Sequence, residues 1–379
     1  MDAEQKVTPL ELFFDLVFVF AITQVTAMMA DDPTWAGVGR GMLILAAIWW
    51  AWSGYAWLTN FLATDEGAIR AAIFVSMTAM LVLSIALPHA FGDDAVLFGA
   101  CYVVVRVVHL VVYWNSAALD EGLRSSINSV IAFWLFMPVM ILVGGIVGGD
   151  LQYVFWIVAL VLDYGATLVL GVQGWKVQAG HFAERFGLIM IIALGESLVA
   201  IGVGASENDL SAGVVTAIVL GVATACAMWW AYFDVVAVVA ERKLHEAQGL
   251  ARITMARDSY AYLHLPMIAG VVLFALGMKK TVGDFDHALK PVPAAALCGG
   301  VALYLAAHVA FRWRNVRSVN RHRLIAATLL LAFIPLADEM VALAALAIVT
   351  GVTTLLIAYE ALRFREARMR VRHPQEAHA

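Results

Sequence analysis

The chain has 379 residues, of which 63% are hydrophobic and 14% are charged, and its formal net charge is −5. Soluble domains carry about 25% charged residues, so this composition, with a mean hydropathy of +0.84, excludes a soluble globular protein. The slightly acidic balance gives no indication of nucleic-acid binding, and membrane lipids are the partners that we expect.

Apolar stretches recur along the whole chain at the length that crosses a bilayer. About 20 residues of α-helix span the ~30 Å hydrocarbon layer. The stretches cover residues 9–30, 38–60, 69–90, 95–117, 126–148, 151–172, 186–204, 212–240, 258–278, 292–312, 323–345 and 348–363. The sequence therefore predicts an all-α polytopic integral membrane protein with about twelve transmembrane helices.

The first helix, within TPLELFFDLVFVFAITQ at residues 8–24, carries two carboxylates, Glu11 and Asp15. Thr8-Pro9-Leu10-Glu11 has the form of a capping box, in which Thr8 is the N-cap and Glu11 reaches back to a free amide. Asp15 lies about 10 Å beyond Thr8 along the helix, where a carboxylate costs about 2.5 kcal/mol or more unless it is compensated. We expect Asp15 either to pair with a fixed Arg or Lys or to titrate.

Other ionisable residues fall inside the predicted helices, mostly in the half of the membrane nearer the cytoplasm. Arg106 needs a carboxylate or water, and by depth the candidate carboxylates are Asp15, Asp163 and Glu196. Glu196, near the middle of its helix, either exchanges a proton or donates a hydrogen bond across helices. The two histidines at matching positions, His109 and His308, relay protons, bind a ligand or serve packing. The candidate intramembrane site for an ion, a proton or a substrate consists of Asp15, Arg106, His109, Asp163, Glu196, Asp234, His264 and His308.

The distribution of Lys and Arg predicts the orientation, because positively charged short loops stay in the cytoplasm. With the N-terminus inside, the cytoplasmic segments contain 19 of the 24 basic residues, including Lys176 and Arg185 in a loop at 173–185. We expect both termini in the cytoplasm of a bacterium, with the protein in its inner membrane. The basic C-terminal segment RFREARMRVRH is a topology anchor next to anionic lipid headgroups.

The two halves of the chain resemble each other in order and spacing. Matching stretches are WWAW at 49–52 with WWAY at 229–232, His-x₄-Trp from His109 and from His308, Phe-x-Pro ending at Pro138 and at Pro335, and Asp163 with Glu360. We predict two parallel six-helix repeats, at residues 1–172 and 173–372, followed by a short cytoplasmic tail at 373–379. The same register predicts that Asp338 and Glu339 lie inside the eleventh helix.

Several stretches together resemble one protein family. TPLELFFDLVFVFAITQ, ERFGLIMIIALGES, MWWAYFD and RDSYAYLHLPMIAGVVLFALG are similar to the bacterial low temperature requirement protein A family. The resemblance implies a bacterial multi-pass inner-membrane protein, and the family name records a growth phenotype rather than a mechanism. FFDLVFVFAIT is also similar to the first-helix motif of a potassium-channel family built from six-helix repeats.

Three classes of function fit these features. A secondary transporter or channel with a proton- or cation-linked step at intramembrane carboxylates such as Glu196 and Asp15 is favoured, because ionisable groups at membrane depth often mark ion or substrate routes. The alternatives are a non-transporting stress-related or sensor protein, whose buried charges specify helix packing, and an intramembrane enzyme. We expect no enzymatic activity, cofactor or metal, and a small ion or solute as the partner; a homo-oligomer is compatible with the sequence.

Overall fold

The computed structural model describes residues 6–60, 62, 66–116, 121–169, 175–206 and 208–372. Within these ranges the regular structure is helical, which confirms the all-α prediction, whereas the predicted tail at 373–379 lies outside the described residues. The helices are α1 (Pro9–Asp31), α2 (Trp35–Thr59), α3 (Gly67–Ala86), α4 (Ala95–Ser116), α5 (Glu121–Val147), α6 (Gly149–Val169), α7 (Ala179–Ser206), α8 (Ala212–Phe233), α9 (Val236–Glu246), α10 (Gly249–Met255), α11 (His264–Gly283), α12 (Pro291–Val316), α13 (Arg321–Ala337), α14 (Ala342–Arg363) and α15 (Arg365–Arg372).

Two compact units are formed by the chain. Unit 1 comprises Met1–Met28, Gly39–Arg185 and Gln248–Ala256, and in it α4 packs between α3 and α5 while α5 also packs against α6. Unit 2 comprises Met29–Val38, Phe186–Ala247 and Arg257–Ala379, and in it α12 packs between α11 and α13 while α8 packs against α14.

Ten helical stretches of the described chain are long and apolar enough to cross a membrane. This result confirms a membrane protein with many apolar helices. The stretches are Pro9–Asp31, Trp35–Thr59, Gly67–His89, Ala95–Ser116, Gly149–Val169, Ala179–Ser206, Ala212–Glu246, Gly249–Gly283, Pro291–Val316 and Ala342–Arg363.

Glycines allow α11 and α12 to approach closely in unit 2. A Cβ atom at Gly277 would lie 2.5 Å from the Cα of Leu297, and one at Gly300 would lie 2.5 Å from the backbone nitrogen of Phe274. Small residues at such crossings let helix backbones approach, and van der Waals contact then stabilises the pair. The close packing of α11 with α12 thus depends on residues without side chains.

Two predicted helices are interrupted in the structure. The stretch predicted at 212–240 breaks after α8, where Asp234 is the C-cap and Val235 leaves the helical conformation with φ −136° and ψ −37°. The stretch predicted at 258–278 begins instead with a wide π-helical segment, Ala256–Tyr262, before α11 starts at His264. Both interruptions bring polar side chains to the ends of apolar helices.

The prediction that residues 173–185 form a cytoplasmic loop is wrong from residue 179 onward, because α7 begins at Ala179. Arg185 is fully buried, and so is Phe182 three residues before it. Sequence reasoning ended the loop at the last charge before the apolar run. The charge of Arg185 is compensated by a carboxylate, so it does not mark the membrane surface.

The prediction that Asp338 and Glu339 lie inside the eleventh helix is also wrong. The corresponding helix, α13, ends at Ala337, and both carboxylates lie in the turn before α14. The turn is held by Ala342 and Leu343, whose backbone N–H groups donate to the carbonyls of His287 and Phe285. Two adjacent carboxylates are costly inside hydrocarbon, and the turn removes that cost.

Candidate functional site

Two acids on α1 face two bases on α7 within unit 1. Glu11 and Asp15 are four residues apart, as are His181 and Arg185, so each pair lies on one face of its helix. His181 Nε2 lies 3.1 Å from Glu11 Oε2, and Arg185 Nη2 donates to Asp15 Oδ1 at 3.0 Å. All four side chains are buried. Asp15 therefore has the fixed arginine partner that was one of its two predicted alternatives.

The capping box at the start of α1 is confirmed. The Thr8 N–H donates to Glu11 Oε2 at 2.8 Å, and the Glu11 N–H donates to Thr8 Oγ1 at 3.4 Å. Asp15 has a further partner, because Trp52 Nε1 on α2 donates to its Oδ1 at 2.9 Å. Glu11 thus both caps α1 and, through His181, connects α1 to α7.

A second buried ion pair joins α4 to α6 in unit 1. Arg106 Nη2 lies 3.0 Å from Asp163 Oδ2, so of the three carboxylates considered for Arg106 the structure selects Asp163. One turn along α4, His109 Nε2 contacts the carbonyl oxygen of Gly54 at 3.1 Å. A Cβ at Gly54 would lie 3.2 Å from the His109 ring, so a side chain at this position would press against the imidazole.

The corresponding carboxylate of unit 2, Glu360 on α14, also binds an arginine. Arg323 Nη2 donates to Glu360 Oε2 at 2.8 Å, and its Nε donates to Oε1 at 3.0 Å. Arg323 Nη1 contacts His308 Nδ1 at 3.0 Å. Asn320 accepts hydrogen bonds from the first N–H groups of α13 and donates to Glu360 Oε1 at 2.7 Å. These four side chains form one connected network.

A cavity of about 500 Å³ lies in unit 2 beside this network. It is bounded by α8, α9, α12, α13, α14 and α15, and apolar side chains such as Val239 and Phe311 form part of its wall. The ionisable and amide side chains that line it are Asp234, His308, Arg312, Asn315, Asn320, Arg321, His322, Arg323, Glu360 and Arg368. The cavity therefore combines an apolar wall with charged groups, which is typical of small-molecule sites.

Arg368 and Asp234 form an ion pair in the lining of this cavity. The Arg368 Nε atom lies 2.5 Å from Asp234 Oδ2, and the guanidinium lies 5.7 Å from the centre of the Trp230 ring. Arg368 belongs to α15 and Asp234 caps α8. This pair thus fixes the last described helix beside the cavity.

The predicted site residues fall into separate groups. Arg106, His109 and Asp163 lie together in unit 1, whereas Asp234 and His308 line the cavity of unit 2. Glu196 is buried within α7. His264 binds Tyr232, with 2.8 Å between Nε2 and the hydroxyl oxygen. Glu196 and His264 are not among the cavity residues.

Sequence reasoning missed Arg185 and Arg323 as site residues. Both were counted as loop charges that set the orientation, although both side chains are buried against carboxylates. A signal was present for Arg185, because its spacing from His181 matches the spacing of Glu11 and Asp15. For Arg323 the signal was the match between Asp163 and Glu360, which implied that Glu360 also needs a cation.

One exposed group of potential ligands lies between α11 and α12. Asp284, Asp286 and His287 place one ligand atom each within 4.8 Å of one another. These three side chains are exposed, as is common in surface loops, and we assign no metal to them. The hydrogen bond that the His287 ring donates to the Asp284 carboxylate raises the pKa of His287 above its ordinary value.

Comparison with known proteins gives two results. The family model described as "Bacterial low temperature requirement A protein (LtrA)" matches residues 6–358. The chain is similar to an uncharacterised protein of Rhizobium meliloti (strain 1021), with 30% identity over 365 residues, which cover 92% of this chain and 87% of the relative.

Proposed function

The chain belongs to the bacterial low temperature requirement A family, and from the cavity of unit 2 we propose that it is a secondary transporter or channel. The observation that carries the proposal is the cavity itself, about 500 Å³ in volume and lined by charged side chains at the ends of membrane-length apolar helices. Ionisable side chains at such positions are costly, and they commonly mark ion or solute routes.

The cavity is proposed as the place where solute enters from the cytoplasm. Its lining comes from the C-terminal ends of α8, α12 and α14 and from the N-terminal end of α13. These ends share one side of the membrane when successive helices cross in opposite directions. The basic C-terminal segment belongs to the same side, which is the cytoplasmic side by the positive-inside rule.

A proton- or cation-linked step is proposed at the buried carboxylates. Glu196 is the first candidate, because it lies within α7 between Gly195 and Ser197 and is 2% exposed. Asp15 has Arg185 and Trp52 as partners, so it contributes only if this ion pair opens during the transport cycle.

Twelve membrane crossings in two parallel six-helix repeats are proposed as the architecture, with both termini in the cytoplasm and the protein in the inner membrane. The ten membrane-length stretches leave α5 and α13 as further crossings. α13 has 17 residues, or about 25 Å at 1.5 Å per residue, and each of the two helices contains the proline of the shared Phe-x-Pro motif. Reporter fusions at the two termini would test the orientation.

A specific observation favours a second candidate, a non-transporting membrane protein. The ion pairs Arg185–Asp15 and Arg106–Asp163 are fully buried, with each carboxylate bound to a fixed guanidinium. A buried ion pair of this kind can have helix packing as its whole role, with no part in transport. On this second account the cavity of unit 2 binds a regulatory ligand and no solute crosses the membrane.

Flux through purified protein in liposomes decides between the two candidates. We expect uptake of at least one solute in a panel of potassium, sodium, phosphate and dicarboxylates measured from pH 5.5 to pH 8, with loss of uptake in Glu196→Gln and in Arg323→Gln. Arg317→Gln is the matched control, because Arg317 is exposed and is not among the cavity residues. Absence of flux under every condition, or flux that both variants leave intact, would sink the proposal.

A further inference from the structure

We infer that the cavity of unit 2 binds an oxyanion, meaning a ligand with a carboxylate or phosphate group. The inference rests on the proposed function for the identity of the site, and it adds the chemical class of the ligand. It is carried by two buried hydrogen-bond donors that have no partner among the described residues and by an excess of positive charge in the lining.

The first donor is His308. Arg323 Nη1 can only donate a hydrogen bond, so His308 Nδ1, 3.0 Å away, is the acceptor. In the neutral imidazole the hydrogen must then be on Nε2. His308 is 1% exposed, and among the described residues its Nε2 has no hydrogen-bond partner. Because His308 is one of the residues that line the cavity, a ligand that reaches this buried donor would supply its missing hydrogen-bond partner.

The second donor is Asn315, one of the cavity residues on α12. Its Oδ1 accepts a hydrogen bond from Ser259 Oγ at 2.6 Å, which fixes the orientation of the amide. The Nδ2 atom is buried and is without a hydrogen-bond partner in the part of the chain that the structure describes. A buried polar group that lacks a partner costs about 1–3 kcal/mol, and an anionic ligand would remove that cost.

The charges around these donors select the sign of the ligand. The lining contains four arginines, at positions 312, 321, 323 and 368, and two carboxylates, Asp234 and Glu360. Each carboxylate is already neutralised by an arginine, Asp234 by Arg368 and Glu360 by Arg323. The remaining formal charge of the lining is positive, so a cation is repelled and an oxyanion is attracted.

The geometry of the lining favours an organic anion of modest size or the headgroup of an anionic lipid. A volume of about 500 Å³ is within the range of small-molecule sites. Trp230, Val316 and Phe364 present apolar surface next to the charged groups. Both kinds of ligand carry the oxyanion that the lining recognises.

Ligand-dependent thermal unfolding of the full-length protein in detergent tests the inference. Sodium phosphate, sodium succinate and choline chloride are each titrated at constant ionic strength, and phosphatidylglycerol is compared with phosphatidylcholine in mixed micelles. We expect phosphate or succinate to raise the apparent unfolding temperature saturably, with no effect of choline.

Two variants and two controls assign the effect to the cavity. Asn315→Asp keeps the acceptor for Ser259 and replaces the free donor with an acidic oxygen, so it abolishes the shift. Arg312→Gln combined with Arg321→Gln, both exposed and therefore compatible with folding, raises the half-saturating concentration about tenfold. Asn128→Asp and Arg317→Gln, which lie outside the cavity lining, leave the titration unchanged.

The outcomes separate this inference from the transport proposal. A shift by phosphatidylglycerol alone, with the same dependence on the variants, supports the oxyanion site and identifies the ligand as a lipid headgroup. Anion binding without any liposome flux supports the site and overturns only transport. A choline effect equal to that of the anions, no saturable shift at all, or a shift that the cavity variants leave unchanged overturns the oxyanion site.

Discussion

Arg185 and Asp15 form an ion pair in which both side chains are fully buried, with 3.0 Å between Nη2 and Oδ1. Removal of one partner leaves the other without its nearest counter-ion in an apolar environment, and breaking a buried pair in this way typically costs about 3–5 kcal/mol. We expect Asp15→Asn and Arg185→Gln each to lower the free energy of unfolding by about this amount. Reversible unfolding of the purified protein in mixed micelles measures it.

The double variant Asp15→Asn with Arg185→Gln is the control for this prediction. It removes both charges, so its loss of stability is smaller than the sum of the two single losses. Glu184→Gln changes the exposed residue just before Arg185 on α7, and it should have only a small effect on the free energy of unfolding. Strict additivity of the two single variants would show that the pair contributes no coupling energy.

The carboxylate–arginine pairs Arg106–Asp163 and Arg323–Glu360 differ in burial, and this difference predicts unequal sensitivity to substitution. The side chains of Arg106 and Asp163 are 3% and 1% exposed, whereas those of Arg323 and Glu360 are 8% and 14% exposed and border the cavity. Water in the cavity can solvate a charge that is left behind. We expect Asp163→Asn to destabilise the protein more than Glu360→Gln, as measured by the apparent unfolding temperature. Equal losses would contradict this view of the cavity.

The contact between α11 and α12 provides a matched pair of glycine substitutions. A Cβ at Gly300 would collide with the backbone of α11, whereas a Cβ at the adjacent Gly299 would meet only Ile334 Cδ1, at 3.8 Å. Gly300→Ala should therefore lower the free energy of unfolding by about 1–3 kcal/mol. Gly299→Ala should be neutral or slightly stabilising, because alanine is the better helix former. If Gly299→Ala lowered the unfolding temperature more than Gly300→Ala, the close approach of α11 and α12 at Gly300 would be contradicted.

His287 gives a prediction for pH, because its side chain is outside the membrane-length helices. The hydrogen bond to Asp284 and the nearby charge of Asp286 raise the pKa of His287 above 6.5. Any stabilisation from this pairing is complete below the unfolded-state pKa and is lost as the pH rises through the folded-state pKa. NMR titration of the His287 ring should give a midpoint above 6.5, and Asp284→Asn should move it down. A midpoint insensitive to Asp284 would contradict the contact.

Composition and periodicity were sufficient to predict the helical membrane fold, since apolar runs of membrane length have few other solutions. The capping box at Thr8 and Glu11 was also predictable, because it is local. The helix breaks at Val235 and at Ala256–Tyr262 were not, because apolar composition continues through them. A hydropathy value is averaged over a window of about 19 residues, so it does not detect a break that is only one helical turn long.

The candidate site was predictable in its residue types and less so in its pairings. Depth along a helix identified Asp163 as one possible partner of Arg106, but three carboxylates satisfied that criterion. Arg185 and Arg323 were missed because a charge at a helix end resembles a surface anchor until its partner is known. The cavity depends on how the ends of six helices pack, and no local pattern encodes that arrangement.

The most direct test of the proposed route is thiol modification inside the cavity during liposome flux. Val319→Cys, at an exposed cavity residue, is introduced after Cys101, Cys226 and Cys298 are replaced by alanine, and Arg317→Cys is the control outside the lining. If solute passes through the cavity of unit 2, a charged methanethiosulfonate abolishes flux in Val319→Cys, a reductant restores it, and the control is unaffected. Flux that persists after complete modification of Val319→Cys would contradict the account.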